Sequence, residues 1–275
     1  MLSRVRKLYR SVVQLQELPD ISAAVRSIDS LVRYSALSPI DRHLVLATMK
    51  RTDGLFHPSY DEWRVTRINK LLDLYGVDYF SEKAILEVGG GHGDIGAFLA
   101  DLGASVLCLE GRRENVHYAR LKHRSIESFR CLQFDLENDF SQFGKFDLII
   151  NFGLLYHLRN VDEHLKCCFG MSDDILLETV VCDSTDPHTI LVVDEDSKVN
   201  EESLSGTGSR PSPFYIERIA DENDFEAIRY FNADLNVGVD FLYDWEHRND
   251  NALGGWKLRR FWRLRRKAAS GGRAE

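Results

Sequence analysis

The stretch Glu87-Val-Gly-Gly-Gly-His-Gly93 carries an acidic residue out of an apolar run and into a turn with almost no side chains. Such a turn lets backbone N–H groups come close to a ligand. Upstream, Ala84-Ile-Leu-Glu-Val88 reads as a strand, and Ile95-Gly-Ala-Phe-Leu-Ala-Asp-Leu102 as the helix that packs back on it. The next apolar run, 104 to 109, ends at Glu110, where a second carboxylate can meet a ribose diol. Strand, glycine turn, helix, strand and acid together predict a nucleotide-type cofactor site.

Two glycine spacings compete within it. Gly91, Gly93 and Gly96 fit G-x-G-x-x-G, which with Glu110 points to a dinucleotide and an NAD-dependent oxidoreductase. The register Glu87-x-Gly89-x-Gly91-x-Gly93 instead resembles motif I of the class I S-adenosylmethionine-dependent methyltransferases. There a carboxylate at the end of strand one compensates the ligand's cationic amino group through charge-assisted hydrogen bonds, where it would repel a pyrophosphate.

Later residues fall in the order that this resemblance implies. A third strand over 130–134 delivers Asp135-Leu136, similar to the family's acidic position at the adenine amino group. A fourth over 146–150 runs into Asn151-Phe-Gly-Leu-Leu-Tyr-His-Leu158, whose Leu-Tyr-His-Leu is similar to the stretch after strand four in small-molecule methyltransferases and in wobble-uridine tRNA-modifying relatives. The resemblance spans roughly residues 60 to 245. It implies an α/β, Rossmann-like, seven-stranded and mostly parallel sheet with an antiparallel edge, and S-adenosylmethionine held by Glu87, Gly89, Gly91, Gly93, Glu110, Asp135, Leu136 and Asn151.

The chain orders itself around that core. Residues 1–59 predict a helical extension, with apolar positions at helical spacing over 22–35 and 41–50 and a Ser38-Pro39 start signal. Tyr60 to Tyr75 is the helix entering the domain of residues 60–250, and Gly76 stops it. Strands near 84–88, 105–110, 130–134, 146–151 and 174–181 alternate with helices, as a parallel sheet requires. Residues 183–210 are polar around a short apolar run and read as an inserted hairpin or loop at the mouth of the site. Ser212-Pro213 caps a further helix, and 225–231 and 237–245 supply the final two strands.

Charge is unevenly placed. The formal total is −8, yet residues 256–275 carry a net +7 and residues 1–10 a net +4, leaving −19 on the rest. An acidic body excludes a general nucleic-acid binder, which needs a broad positive surface. The tail 251–275 interleaves aromatics with bases from Trp256 to Lys267. It either touches an anionic surface or RNA, or folds over the acidic body of its own chain. No apolar run approaches the roughly 20 residues of a bilayer span. The five cysteines, an odd number without metal spacing, read as reduced. A cytoplasmic protein is expected, and the sequence sets no oligomeric state.

Methyl transfer from a sulfonium needs alignment above all, and an oxygen acceptor of high pKa needs a base as its proton leaves. His157 is the first candidate for that base, since it follows strand four closely and an imidazole titrates near neutrality. Glu178 in strand five is a second candidate for the base, weaker than His157 because strand polarity can instead bury it against a partner such as an N-terminal arginine, and His92 is expected to shape the glycine turn. Asp183, Asp186 and His188 form no persuasive metal set, so no metal is expected. Neither the Asn/Asp-Pro-Pro-aromatic motif of base-amino methyltransferases nor the Pro-Cys pair of cytosine C5 enzymes is present. Arg210, Tyr215, Tyr156 and His157 can surround a polar small molecule. The stretch Ser209-Arg-Pro-Ser-Pro-Phe-Tyr-Ile-Glu-Arg218 and the Tyr243-Asp-Trp245 region resemble parts of bacterial-type methyltransferases of sugars or surface polysaccharides. That resemblance implies methyl transfer to an oxygen of a sugar or related metabolite, with RNA as the alternative substrate.

Overall fold

The computed structural model describes residues 59–268 except 200, 239–240 and 251–257. The helices expected within residues 1–58, and the ends of the basic tail, lie outside the described residues. The chain divides into two units, Met1–Val65 and Thr66–Glu275, and the second holds the sheet. A first helix, α1 (Ser59–Tyr75), ends where Gly76 takes a φ of 77° and its N–H closes on Leu72 O. The elements that follow are β1 (Ala84–Val88), α2 (Asp94–Asp101), β2 (Ser105–Glu110), α3 (Arg113–Lys122), β3 (Phe129–Gln133), β4 (Leu148–Phe152), α4 (Val161–Met171) and β5 (Asp174–Val180). Then come β6 (Ile190–Asp194), β7 (Thr207–Pro211), α5 (Pro213–Glu222), β8 (Phe225–Tyr230) and β9 (Arg259–Arg266).

Seven strands form one sheet in the order β3-β2-β1-β4-β5-β9-β8, and β6 pairs with β7 as a separate antiparallel ribbon. This is the expected Rossmann-like α/β architecture. β1 lies between β2 and β4, parallel to both, with Val88 opposite Leu109 on one side and Asn151 on the other. The chain winds outward in both directions from that point, and in such sheets ligands gather at the strand ends beside the reversal. The central strands are apolar because both faces are covered: Ile85, Leu86, Ile149, Ile175 and Leu177 are fully buried. α2 is buried over Asp94–Ala100, nearly all round. α5 begins as its sequence demands, with Ser212 Oγ accepting from Tyr215 N–H and Pro213 in the first turn. No helix among the described residues is long and apolar enough to cross a membrane.

The last two strands correct the sequence reading. The described residues of 237–245 form no strand; Ala233–Leu235 is a 3-10 turn, followed by a bridge between Val237 and Phe241. The seventh strand is β9, drawn from the segment read as a tail over 251–275, and it inserts antiparallel between β5 and β8. Four of its five arginines meet a counter-group within the fold, while Arg265 is exposed. Arg259 reaches Glu178 at 2.9 Å, Arg263 grips Asp174 at 2.5 and 2.9 Å, and Arg266 pairs with Asp173. Arg260 donates to the carbonyls of Tyr243 and Trp245 and stacks 3.6 Å from the Trp245 ring centroid. Trp262 is fully buried, with its indole N–H on Glu217. Of the two fates open to this basic segment, the described part takes the second: it is folded into its own acidic chain.

Trp262→Ala should therefore lower stability by about 3 to 5 kcal/mol, the cost of a large aromatic cavity, as read by urea unfolding. A free tail would leave the unfolding midpoint where it is.

Candidate active site

The bend after β1 is built on three left-handed glycines, with φ of 68° at Gly89, 56° at Gly91 and 70° at Gly93. Side chains rarely adopt this conformation, and close neighbours exclude them here as well. A Cβ on Gly89 would lie 2.8 Å from Leu154 Cβ, and one on Gly93 would lie 2.3 Å from the Phe129 ring. Gly89 N–H donates to Leu109 O, which ties the bend to β2.

Glu87 is 3% exposed, and its Oε2 accepts from Gly96 N–H at 3.2 Å. A Cβ on Gly96 would fall 2.4 Å from that same oxygen. Gly96, the third glycine of the rival dinucleotide spacing, is thus accounted for by the acid behind it. The carboxylate faces the first turn of α2, where aligned peptide dipoles favour negative charge. His92 lies fully buried in the bend against the Tyr118 ring, with its carbonyl bonded to His123.

Glu110 ends β2 and folds back on the bend. Its Oε2 accepts from Gly91 N–H at 2.9 Å, while Oε1 accepts from Arg112 N–H at 2.8 Å and from Asn115 at 3.4 Å. Burial pushes its carboxyl pKa up, against these hydrogen bonds, which hold it down. Glu110 therefore meets Gly91 directly.

The third and fourth strand ends are joined by a residue that sequence reasoning missed. Asp135 is exposed, with its carboxylate turned onto Glu137 N–H, and Leu136 is buried. The Leu136 carbonyl accepts from His164 Nδ1 at 3.2 Å, and His164 Nε2 meets Asn151 Nδ2 at 2.9 Å. Since a carbonyl only accepts and an amide nitrogen only donates, His164 must be neutral with its proton on Nδ1. Burial drives its pKa down to about 4. Asn151, expected among the cofactor ligands, has a fully buried side chain engaged by His164. Its amide anchors the Asp135–Leu136 turn to β4 and α4 instead of facing a ligand. The only signal in the sequence was a histidine on the inner face of a helix.

His157 closes the 3-10 turn Leu155–His157 that follows β4. Its Nδ1 lies 2.5 Å from Glu195 Oε2, and Arg210 Nη2 holds the other oxygen of Glu195 at 2.8 Å. Arg210 also donates to Tyr156 O at 2.7 Å. Burial, with Arg210 and Arg259 nearby, lowers the pKa of His157 against the pull of Glu195. Burial opposes ionisation of Glu195 in turn, but His157 and Arg210 bring its carboxyl down to about 2. Tyr215, grouped with these residues by sequence, donates instead to Asp162 on α4. Glu178, as expected, is buried against arginines, Arg259 and Arg67, and accepts from Tyr243 OH.

With this geometry in view, three comparisons bear on the chain. Residues 86–172 match the family model described as a methyltransferase domain. A tRNA U34 carboxymethyltransferase of Azotobacter vinelandii is 32% identical over 142 residues, 49% of this chain and 42% of that protein. The chain thus spans less than half the length of that curated relative. Among solved structures, the N-terminal domain of EvdMO1 with SAH bound superposes with a TM-score of 0.56 at 20% identity, over 73% of this chain and 81% of that one. The same domain in the presence of SAH and D-fucose gives 0.55 at 21% identity, over 73% and 82% of the two chains. At these identities the two structures speak for the fold.

The His164 bridge has a consequence for pH. Folded His164 titrates near 4, below the roughly 6.5 of an unfolded imidazole, so the unfolded state binds the extra proton first as pH falls. Stability contributed above pH 6.5 should be lost progressively down to pH 4, by about 3 kcal/mol in all. Urea unfolding at pH 7 and at pH 4.5 should show His164→Gln losing distinctly less stability over that interval than the wild type.

Proposed function

We propose that this chain, which carries a Rossmann-like S-adenosylmethionine-dependent methyltransferase domain, methylates an oxygen of a small polar acceptor, a sugar or related metabolite, with His157 taking the proton. One observation carries the reading. Two carboxylates, Glu87 and Glu110, close on the glycine bend at the ends of β1 and β2, one under it and one bonded to Gly91.

The fit to the cofactor rests on that charge. A dinucleotide would set a pyrophosphate against the same bend, where Glu87 and Glu110 disfavour it. The neighbouring base, Arg112, already donates its guanidinium to the carbonyls of Ser197, Val199 and Glu202. A cationic amino acid moiety suits the acids, a ribose hydroxyl suits the carboxylate of Glu110, and Asp135 with Leu136 lies at the β3 end for an adenine. S-adenosylmethionine held there supplies an already activated methyl group.

The residues of the chain then have two tasks. The bend and Glu110 fix one reactant, since alignment alone supplies much of the rate in such a displacement. His157, kept neutral at neutral pH by burial and by the two arginines, accepts the proton of the acceptor hydroxyl. A sugar-type acceptor accords with the polar surroundings of His157 and with the fold relative studied in the presence of D-fucose. An RNA acceptor has the sequence relative in its favour but not the basic segment, where Arg259, Arg260, Arg263 and Arg266 are engaged within the fold.

Calorimetric titration separates the cofactor readings: S-adenosylmethionine and SAH should bind and NAD should not. Glu110→Ala should weaken SAH binding by about 1.5 to 3 kcal/mol, the range for a hydrogen bond to a charged group. Unchanged affinity would remove Glu110 from the ribose.

A further inference from the structure

We propose that Glu195 and Arg210, both on the ribbon inserted after β5, are a positioning pair that fixes His157 with its proton on Nδ1 and its basic lone pair on Nε2. This deepens the reading of His157 as a base and rests on it.

The donors around Glu195 decide the tautomer. Its carboxylate is 3% exposed and accepts at both oxygens: Ser203 N–H lies 2.7 Å from Oε2, and Arg210 Nη2 lies 2.8 Å from Oε1. A guanidinium and a backbone N–H can only donate, and these donors favour the charged carboxylate, whose pKa is held down to about 2, so it is ionised and can only accept. The third neighbour, His157 Nδ1 at 2.5 Å from Oε2, must then bring a proton. A neutral imidazole with hydrogen on Nδ1 has its acceptor lone pair on Nε2. Among the described residues none bonds Nε2, and the His157 side chain keeps 13% of its surface exposed. The one nitrogen able to take a proton is the one left accessible.

Arg210 holds both Glu195 and the turn that carries His157 in place. Nη2 grips Glu195 while Nη1 donates to Tyr156 O, the carbonyl of the residue before His157. Backbone and side chain of the turn are thus held by one guanidinium. The charged groups facing His157 are Glu195 from β6 and its extension, Arg210 from β7 and Arg259 from β9, with the Tyr156 ring centroid 3.9 Å from its own. The anion favours the imidazolium and the arginines oppose it, so their removal should move the titration in opposite directions.

The ribbon is fastened at its far end too. Arg112 donates to three carbonyls of the 197–202 loop, and Leu204 packs so closely on Gly111 that a Cβ there would lie 2.3 Å from its Cδ1. Glu195 is therefore delivered to His157 by an element bonded to the end of β2.

Ring-nitrogen NMR on the 15N-labelled full chain tests this, with the His157 signals assigned by their loss in His157→Gln. Wild-type His157 should show the Nδ1–H tautomer above its pKa. Glu195→Ala should shift it toward Nε2–H and weaken its proton affinity roughly tenfold. Arg210→Met should strengthen that affinity, and Arg210→Lys, which retains the charge, should return it close to wild type. A wild-type Nε2–H tautomer overturns the proposal, as does an unchanged His157 in Glu195→Ala. So does Arg210→Met moving in the same direction as Glu195→Ala. If circular dichroism shows Glu195→Ala unfolded, the wild-type tautomer and the two Arg210 variants decide. SAH titration on the same samples tests the methyltransferase reading separately: absent binding would remove that reading and leave the tautomer result standing.

Discussion

A carboxylate packed where side chains are missing governs the geometry of this site. Glu87 ends the central region of the sheet on β1, 3% exposed, with β2 and β4 on either side. Burying a charge costs several kcal/mol unless hydrogen bonds and dipoles compensate it, and Gly96 N–H with the first turn of α2 does so. The carboxyl occupies the volume that a Cβ at Gly90 or Gly96 would need. The glycines are imposed from beneath by the acid as much as from above by any ligand. Two overlapping spacings appear in one stretch because Gly89, Gly91 and Gly93 serve the bend while Gly96 serves Glu87.

The parts of the fold legible in the sequence were those where one force dominates. β1, β2, β4 and β5 are buried largely on both faces and read as apolar runs, while β3 at the edge buries alternate residues, and the observed ends of all five differ from the expected ones by no more than a residue or two. The Ser212-Pro213 cap and the Gly76 stop act through local backbone chemistry and were equally plain. β9 was not, because Arg-Arg-Phe-Trp-Arg-Leu-Arg-Arg looks solvated until its partners are known. Those partners, Glu178, Asp174 and Asp173, lie more than eighty residues away. Residues 237–245 show the converse: alternating apolar residues promise a strand, but the described ones make only isolated bridges, Val237 with Phe241 and Leu242 with Leu258. In the site, the bend and Glu110 were readable because motif and strand end coincide in sequence. Glu195 and His164 were hidden because their roles exist only across the fold.

The same long-range pairing explains the segregated charge. An acidic body and a basic end repel a simple assignment of partners, yet the fold brings them together strand by strand. Removing one member of a buried pair leaves the other uncompensated, which costs more than the intact pair contributes. Glu178 and Arg259, both almost wholly buried at 2.9 Å, therefore constrain where the last strand can lie. Tyr243 adds its hydroxyl to Glu178, so the irregular 237–245 segment is fixed by the same charge. The edge of the sheet is specified by electrostatics where its centre is specified by apolar burial.

The segment Glu110-Gly111-Arg112 unites the two halves of the site. Glu110 bonds back to Gly91, Leu204 closes over Gly111, and Arg112 reaches out to the ribbon that carries Glu195. Three consecutive residues thus connect the cofactor bend to the group that orients His157. Under the proposal that His157 is the base, it loses little freedom when an acceptor arrives, because its turn is already bonded through Tyr156 O and its Nδ1 through Glu195. Alignment in a displacement reaction depends on such preorganisation, since a shift of about an ångström can cost a hundredfold in rate. On that proposal the inserted ribbon belongs to the site and is no appendage to the sheet, since it carries both Glu195 and Arg210, the groups bonded to the His157 ring and to its turn.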